Sequence, residues 1–334
     1  MGKGKNSHSS IFRNTEFSLI IIIAVIFIVA SIGTQNFMTE YNLTNLLKQC
    51  AITGVLALSA TYVIIAGGID LSCGSVCGFA TLIVAMGQAR WGLPVWLTIV
   101  LALLIGIACG LVNAFIIHEF SVPPFIATLG TMTIIRGMIK VIGNASTISG
   151  INTKFADFAA TNVPGIHLPK LALVWIGMGV LTWLLLRYTT FGRNMFVLGS
   201  GADVARLSGV SIRKTTYKTY AFAGLLCGIA GIMLCARINS SVPTAGEGYE
   251  MNAIAAAVIG GASMAGAKGS IVGTMLGTIL MVMIQNAGIQ FGINSFIMEI
   301  TTGILITLAV LIDQLKNRGT GKSFLARILK RPNK

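Results

Sequence analysis

Charge is what this 334-residue chain has least of: 24 Lys and Arg with 10 Asp and Glu make up 10% of the sequence. A soluble globular domain carries about 25% charged residues, so this chain has too little polar surface to face water on all sides. With so few acids, no pair of carboxylates stands spaced for general acid–base work. The three His (His8, His118, His167) are isolated at helix ends and loops, without metal-ligand spacing or a neighbouring nucleophile. These shortages point away from an enzyme, a metal centre or a bound cofactor. The six Cys (Cys50, Cys73, Cys77, Cys109, Cys227, Cys235) all lie in apolar stretches. Cys73 and Cys77 would share a helix face, but no His or third Cys is near enough in sequence for zinc, which leaves packing. No small-residue cleavage pattern follows the first apolar run, Phe17 to Ile32, so it is expected to remain as a membrane helix.

What the chain has instead is apolar length. Hydrophobic residues are 54% of it and the mean hydropathy is +0.83. Apolar runs recur from end to end, and about 20 residues cross a bilayer as a helix. The runs lie near 17–33, 51–66, 73–89, 95–117, 124–142, 170–187, 217–236, 251–266, 270–289 and 294–312. The second, third and eighth are short and Gly-interrupted. The expected fold is an all-α polytopic membrane protein of about ten transmembrane helices: a tail over 1–16, a membrane domain over 17–312 and a basic tail over 313–334. Gly, at 39 residues, suits close helix packing in lipid and local helix breaks. The segment 143–169, polar and carrying Pro164 and Pro169, reads as an exposed cap that a partner can contact.

The formal net charge of +14 invites a nucleic-acid reading, which the placement of the charges opposes. With both termini cytoplasmic, ten crossings put 17 Lys and Arg inside and 7 outside or in outer helix ends, as the positive-inside rule requires. Losing one helix would send either the 188–216 loop or the basic tail to the wrong side. The tail, from Lys316 to Lys334, reads as an anchor beside anionic lipid.

Three Gly-bearing segments carry the candidate function. In Ala66-Gly67-Gly68-Ile69-Asp70-Leu71-Ser72-Cys73-Gly74-Ser75, a carboxylate stands between two apolar runs, at a cost of about 3 kcal/mol at a helix centre. Two readings stay open: an interfacial turn in which Asp70 or Ser72 caps the next helix, or a broken helix lining a solute path. Val258-Ile259-Gly260-Gly261, followed by Gly266, Gly269, Ser270 and Gly273, echoes Ile64-Ile65-Ala66-Gly67-Gly68 with about two residues inserted. Internal duplication and convergent glycine packing both account for it. The third segment, on the loop 188–216, reads Thr190-Phe191-Gly192-Arg193-Asn194, then Gly199 through Asp203-Val204-Ala205-Arg206-Leu207-Ser208 to Gly209-Val210. A short helix there, stopped by Gly209 as a C-cap, would dock in a groove of a cytoplasmic partner and pass on its movement. Small residues such as Ala205 would permit close approach. Asn113, Asn252, Gln285, Asn286, Gln290 and Glu299 are polar residues in apolar helices that serve either solute hydroxyls or helix packing.

On these residues the chain resembles the permeases of binding-protein-dependent ABC importers, and within them the ribose/xylose/galactose permease family. Asp203-Val204-Ala205 with Gly209 is similar to that class's cytoplasmic Glu-Ala-Ala…Gly pattern, with Asp for Glu and Val for the first Ala. Asn42-Leu43-Thr44-Asn45-Leu46-Leu47, Gly67 to Ser75, Val122-Pro123-Pro124-Phe125 to Met132, and Gly260-Gly261 to Gly273 resemble further family stretches in the family's order. The resemblance implies an ABC importer permease fold, a separate ABC ATPase subunit, an extracytoplasmic sugar-binding protein and a permease homodimer in the bacterial inner membrane. It implies ATPase coupling through Gly192, Arg193, Asp203, Ala205, Arg206 and Gly209. It implies a solute path along Gly67, Gly68, Asp70, Ser72, Phe125 and Asn286. Ribose is the sugar favoured by overall resemblance, with xylose, galactose, arabinose and a furanosyl signalling molecule open.

Gly319-Thr320-Gly321-Lys322-Ser323 imitates the end of a phosphate-binding loop, but Lys316 stands where that loop needs its first Gly, and no strand precedes it. If ATP drives transport, another chain hydrolyses it. A self-contained secondary carrier would need intramembrane charge partners for ion coupling. Only Asp70 and Glu299 stand out as carboxylates in or beside spans. The branched-chain amino-acid permeases are the remaining rival.

Overall fold

Each of the ten apolar runs carries a helix in the structure, a computed structural model that describes residues 8–317. In chain order these are α1 (His8–Gly33), α2 (Glu40–Ile65), α3 (Cys73–Ala89), α4 (Val95–Glu119), α5 (Pro124–Gly143), α7 (Lys170–Tyr188), α10 (Ile212–Ile238), α11 (Tyr249–Ile259), α12 (Ile271–Gln290) and α13 (Ser295–Asn317). Three shorter helices sit between them: α6 (Thr153–Ala160), α8 (Thr190–Gly199) and α9 (Ala202–Leu207). Among the described residues, eight helices are long and apolar enough to cross a membrane; α3 and α11 are the two short ones. The limits placed at 16 and 312 fall inside α1 and α13. Residues 318–334, with the loop-like Gly319 to Ser323 and most of the basic tail, lie outside the described residues, as do Lys3 and Lys5.

The eighth run differs from expectation. Helix α11 stops at Ile259, and Gly260 to Ser270 is a series of turns. Eleven residues rise only about 16 Å, roughly half the hydrocarbon core, so α11 is a half-helix. The second run starts eleven residues earlier than expected, because Thr39 caps α2 through Asn42 N–H at 3.3 Å.

Helix α2 is the axis of the bundle: 89% of its most apolar window is buried, against 11% for α1 and 6% for α13. It is surrounded by α3, α7, α10, α11 and α12. Because lipid tails are as apolar as Leu, such packing rests on close backbone approach and interhelical hydrogen bonds. Both occur along α10. A Cβ at Gly224 would strike the Gly106 carbonyl of α4. Ser59 Oγ donates to Ala223 O at 3.1 Å, and Thr81 Oγ1 to Gly231 O at 3.0 Å. Four very short strands depart from an all-helical chain. β1 (Ile148–Ser149) pairs antiparallel with β4 (Ser240–Ser241), and β2 (Asn162–Val163) with β3 (Ile166–Pro169). With α6 they order the 143–169 segment as a cap over one end of the bundle. Lys48 Nζ on α2 donates to Ala160 O there, at 2.9 Å. Helices α8 and α9 occupy the opposite end, where α2 finishes and α10 starts.

Candidate functional site

The sequence echo between the two Gly pairs is an echo of backbone. At the end of α2, Gly67 N–H donates to Ile64 O and Gly68 N–H to Val63 O, both at 2.9 Å. At the end of α11, Gly261 N–H donates to Val258 O and Ala262 N–H to Ala257 O, again at 2.9 Å. Gly67 (φ +83°) and Gly261 (φ +96°) occupy the left-handed region that closes such a helix stop. The connections then diverge: six residues lie between Ala66 and Cys73, ten between Gly260 and Ile271.

Asp70 lies in the first break and is 5% exposed. Its Oδ1 accepts Ser72 N–H at 2.8 Å and Ser72 O–H at 2.6 Å. Ser72 is the N-cap of α3, yet its hydroxyl makes no capping bond because it is turned to Asp70. The chain of bonds continues outward. Asn113 Nδ2 on α4 donates to Ser72 Oγ at 2.8 Å, and Thr131 O–H on α5 donates to Asn113 Oδ1 at 2.7 Å. Leu71 N–H donates to Thr128 Oγ1 at 3.2 Å. Asp70 and Ser72 are thus brought together with Asn113 and the threonines of the Val122–Met132 stretch.

Phe125 and Asn286 are not part of this cluster. Phe125, 49% exposed, is on the outside of the first turn of α5. Asn286 exchanges two amide bonds with Asn42, at 3.0 and 2.8 Å, and Gln290 adds a third at 2.8 Å. Asn42 stands at the start of α2 and Asp70 beyond its end, so Asn286 fastens α12 to α2 at the far end of the bundle. Likewise Gln285 Nε2 donates to Asn252 Oδ1 at 2.8 Å and joins α12 to α11. Glu299 is exposed.

Arg136 and Glu250 were missed. Arg136, midway along α5, donates from Nη1 to Ala245 O and from Nη2 to Gly246 O, both at 2.6 Å, and stands 3.8 Å from Glu250 Oε2. Their side chains are 13% and 10% exposed. This clamp holds the chain leading into α11 against Gly74 and Gly78 of α3. A Cβ at Gly74 would meet the Glu250 carboxylate, and one at Gly78 the Ala245 carbonyl. A charge inside an apolar run needs a partner, so Arg136 within 124–142 was the available signal. Glu250 escaped because it precedes the run that starts at 251.

At the other end, Thr189 Oγ1 accepts Gly192 N–H at 3.3 Å and caps α8, and Gly192 is buried on the Leu186 carbonyl. Arg193 is exposed, and Asp203 and Arg206 pair at 3.3 Å on the exposed side of α9. Gly209 (φ +69°) ends α9, with Gly209 N–H on Arg206 O at 3.1 Å and Val210 N–H on Ala205 O at 2.9 Å. Ala205 differs from expectation: it is 0% exposed and points into this chain, so it offers no surface to a partner. Leu207, 91% exposed, and Val204, 45% exposed, form the outer face of α9. A six-residue helix has one side for its own protein and one for solvent, and the small residue takes the crowded side.

Helix α8 ends in contact with both breaks. The Gly199 backbone lies against Ile65 O, and a Cβ there would strike that oxygen and come within 2.6 Å of Ala267 N. A Cβ at Gly67 would be 3.5 Å from Gly199 Cα, and one at Gly266 would be 2.5 Å from Gly199 O. Ala267 N–H donates to Ile65 O at 2.9 Å and ties the two breaks together beside it.

A bundle of membrane-length helices around a largely buried axis that ends in a break, with an exposed two-helix loop touching the breaks, defines a multi-pass membrane protein. Residues 42–312 match the family model described as "Branched-chain amino acid transport system / permease component". The ribose import permease protein of Bacillus subtilis (strain 168) is 38% identical over 88% of this chain and 91% of its own. That of Escherichia coli (strain K12) is also 38% identical, over 94% and 98%. The xylose transport system permease protein of Haemophilus influenzae is 33% identical over 89% and 95%. No solved structure matches. The chain belongs to the ABC-transporter permease family that contains these sugar permeases.

Proposed function

We propose that this chain is the membrane-spanning subunit of a binding-protein-dependent ABC importer that passes a monosaccharide, ribose first among the candidates, into the cytoplasm. Two relatives that are 38% identical are ribose import permeases, which supports ribose over xylose and galactose. In this reading the chain sits in the bacterial inner membrane as a homodimer with both termini cytoplasmic. A separate ABC ATPase subunit docks on α8 and α9, and an extracytoplasmic sugar-binding protein delivers solute at the capped end. The chain performs no covalent chemistry and needs no cofactor; it supplies a path with two accessible states, whose populations its partners shift.

The observation that carries this reading is the seat of Gly199 between Ile65 and the 266–267 turn. A push on α9 and α8 reaches the end of α2 and the turn that follows α11 through backbone, with no flexible side chain to absorb it. The break around Asp70 follows directly on the first of those ends, and Asp70, Ser72 and Asn113 form the polar cluster proposed to border the path.

The test is on the outer face of α9. Burying a Leu at an interface is worth about 1.5–3 kcal/mol, so Leu207→Asp is expected to weaken ATPase capture at least tenfold while the chain inserts normally. Sugar uptake by intact cells falls in parallel. Undiminished capture by this variant would remove α9 from the docking surface. The sugar is read from the ligand that co-purifies with the binding protein.

A further inference from the structure

Two neighbouring clefts at the α8 end are not used by the transport reading. The first, of about 360 Å³, is polar and lies between α8 and the start of α10, with Asn194, Ser208, Ser211, Lys214 and Lys218 in its wall. The second, of about 400 Å³, is almost wholly apolar and is bounded by Ile107 of α4, Leu185 of α7, and Phe222 and Leu225 of α10. Phe191 and Lys218 line both, so the two clefts adjoin.

Their chemistry is complementary to one kind of occupant. Lys214 and Lys218 are one turn apart on α10 and exposed. Among the described residues neither stands in an ion pair, whereas their neighbour Arg213 is matched by Glu119 at 2.9 Å. Two uncompensated ammonium groups beside the hydroxyls of Ser208 and Ser211 suit a phosphate. The apolar cleft runs away from them between α4 and α7. The residues flanking it on those helices, Leu104, Leu111, Leu181 and Leu184, are exposed at 55%, 40%, 45% and 42%. In a chain that spans a bilayer that surface faces hydrocarbon. A free phosphate would fill only the polar cleft; a phospholipid fills both, with its headgroup on the lysines and one acyl chain past Phe191 into the groove.

We propose that this pair of clefts is a binding site for an anionic phospholipid, whose headgroup is held by Lys214 and Lys218 at the foot of the coupling loop. Such a lipid would brace α8 against α10 on the side opposite Gly199 and make the stiffness of the loop dependent on membrane composition. The site rests on the membrane-spanning reading but not on the identity of the solute.

The experiment is native mass spectrometry of the purified full chain in detergent, with phosphatidylglycerol and phosphatidylcholine of identical acyl chains. At about fivefold in affinity per lysine near an anionic surface, phosphatidylglycerol is expected to be retained about thirtyfold more strongly. Lys214→Gln with Lys218→Gln should abolish the preference. Ile107→Trp, which fills the apolar groove and leaves the lysines in place, should reduce retention of phosphatidylglycerol. Inorganic phosphate in millimolar excess should not displace the lipid. Thermal unfolding of each variant in detergent reports whether it is folded. Equal retention of the two lipids, full retention by the double lysine variant, or displacement by inorganic phosphate each overturns the proposal. Loss of the lipid on assembly with the ATPase also overturns it, because the cleft then belongs to the partner. Sugar uptake is measured separately, so failure here leaves the importer reading standing.

Discussion

Replacing Gly199 by alanine adds one methyl group where the structure has no room for it. The added Cβ would overlap Ile65 O and lie 2.6 Å from Ala267 N. Both neighbours are backbone, so neither can rotate away; α8 must lift or the Ala267 N–H to Ile65 O bond must open. Overpacking of this kind costs about 1–3 kcal/mol, and opening a buried backbone bond about as much again. Against a typical total stability of about 5–15 kcal/mol, the chain still folds. The cost falls on the contact between coupling loop and helix breaks. A bias of about 2 kcal/mol toward either state shifts their ratio about thirtyfold. The expected result is normal membrane insertion and normal capture of the ATPase, with uptake of labelled sugar reduced tenfold or more. Gly137→Ala serves as control: it is on α5 with open space around its Cβ and should transport normally. Wild-type uptake by Gly199→Ala, with the control also normal, would refute transmission through this contact.

Asp70→Asn keeps an oxygen at Oδ1 to accept both Ser72 bonds, so stability is expected to change by no more than about 1 kcal/mol. If the charge matters to the path, uptake falls at least tenfold in whole cells, and normal uptake returns Asp70 to a structural role. In a Cys-free background, Ser200→Cys is expected to react with impermeant maleimide only from the cytoplasm, and Lys154→Cys only from outside. Both positions are exposed, and labelling of either from the opposite face overturns the orientation proposed here.

Composition and apolar periodicity were enough to place ten helices, because a bilayer imposes one length requirement on every span and one charge preference on every loop. Two helix stops were legible for a similar local reason: Gly67 and Gly209 take backbone angles that other residues adopt only with strain. Long-range partnerships were not legible. Nothing local marks Arg136 as the clamp on the 245–246 carbonyls, or Asn286 as half of an amide pair with Asn42, 244 positions away. The direction in which a helical residue faces was equally hidden. Ala205 and Leu207 are two positions apart, and folding buries the first completely while leaving the second at 91% exposure. In lipid the apolar content of a helix does not distinguish its packed side from its exposed side, since both are hydrophobic. Backbone approach and hydrogen bonding between helices make that choice. Both depend on neighbours that only the folded bundle supplies, which is why the half-helix α11 and the seat of Gly199 emerged from the tertiary structure alone.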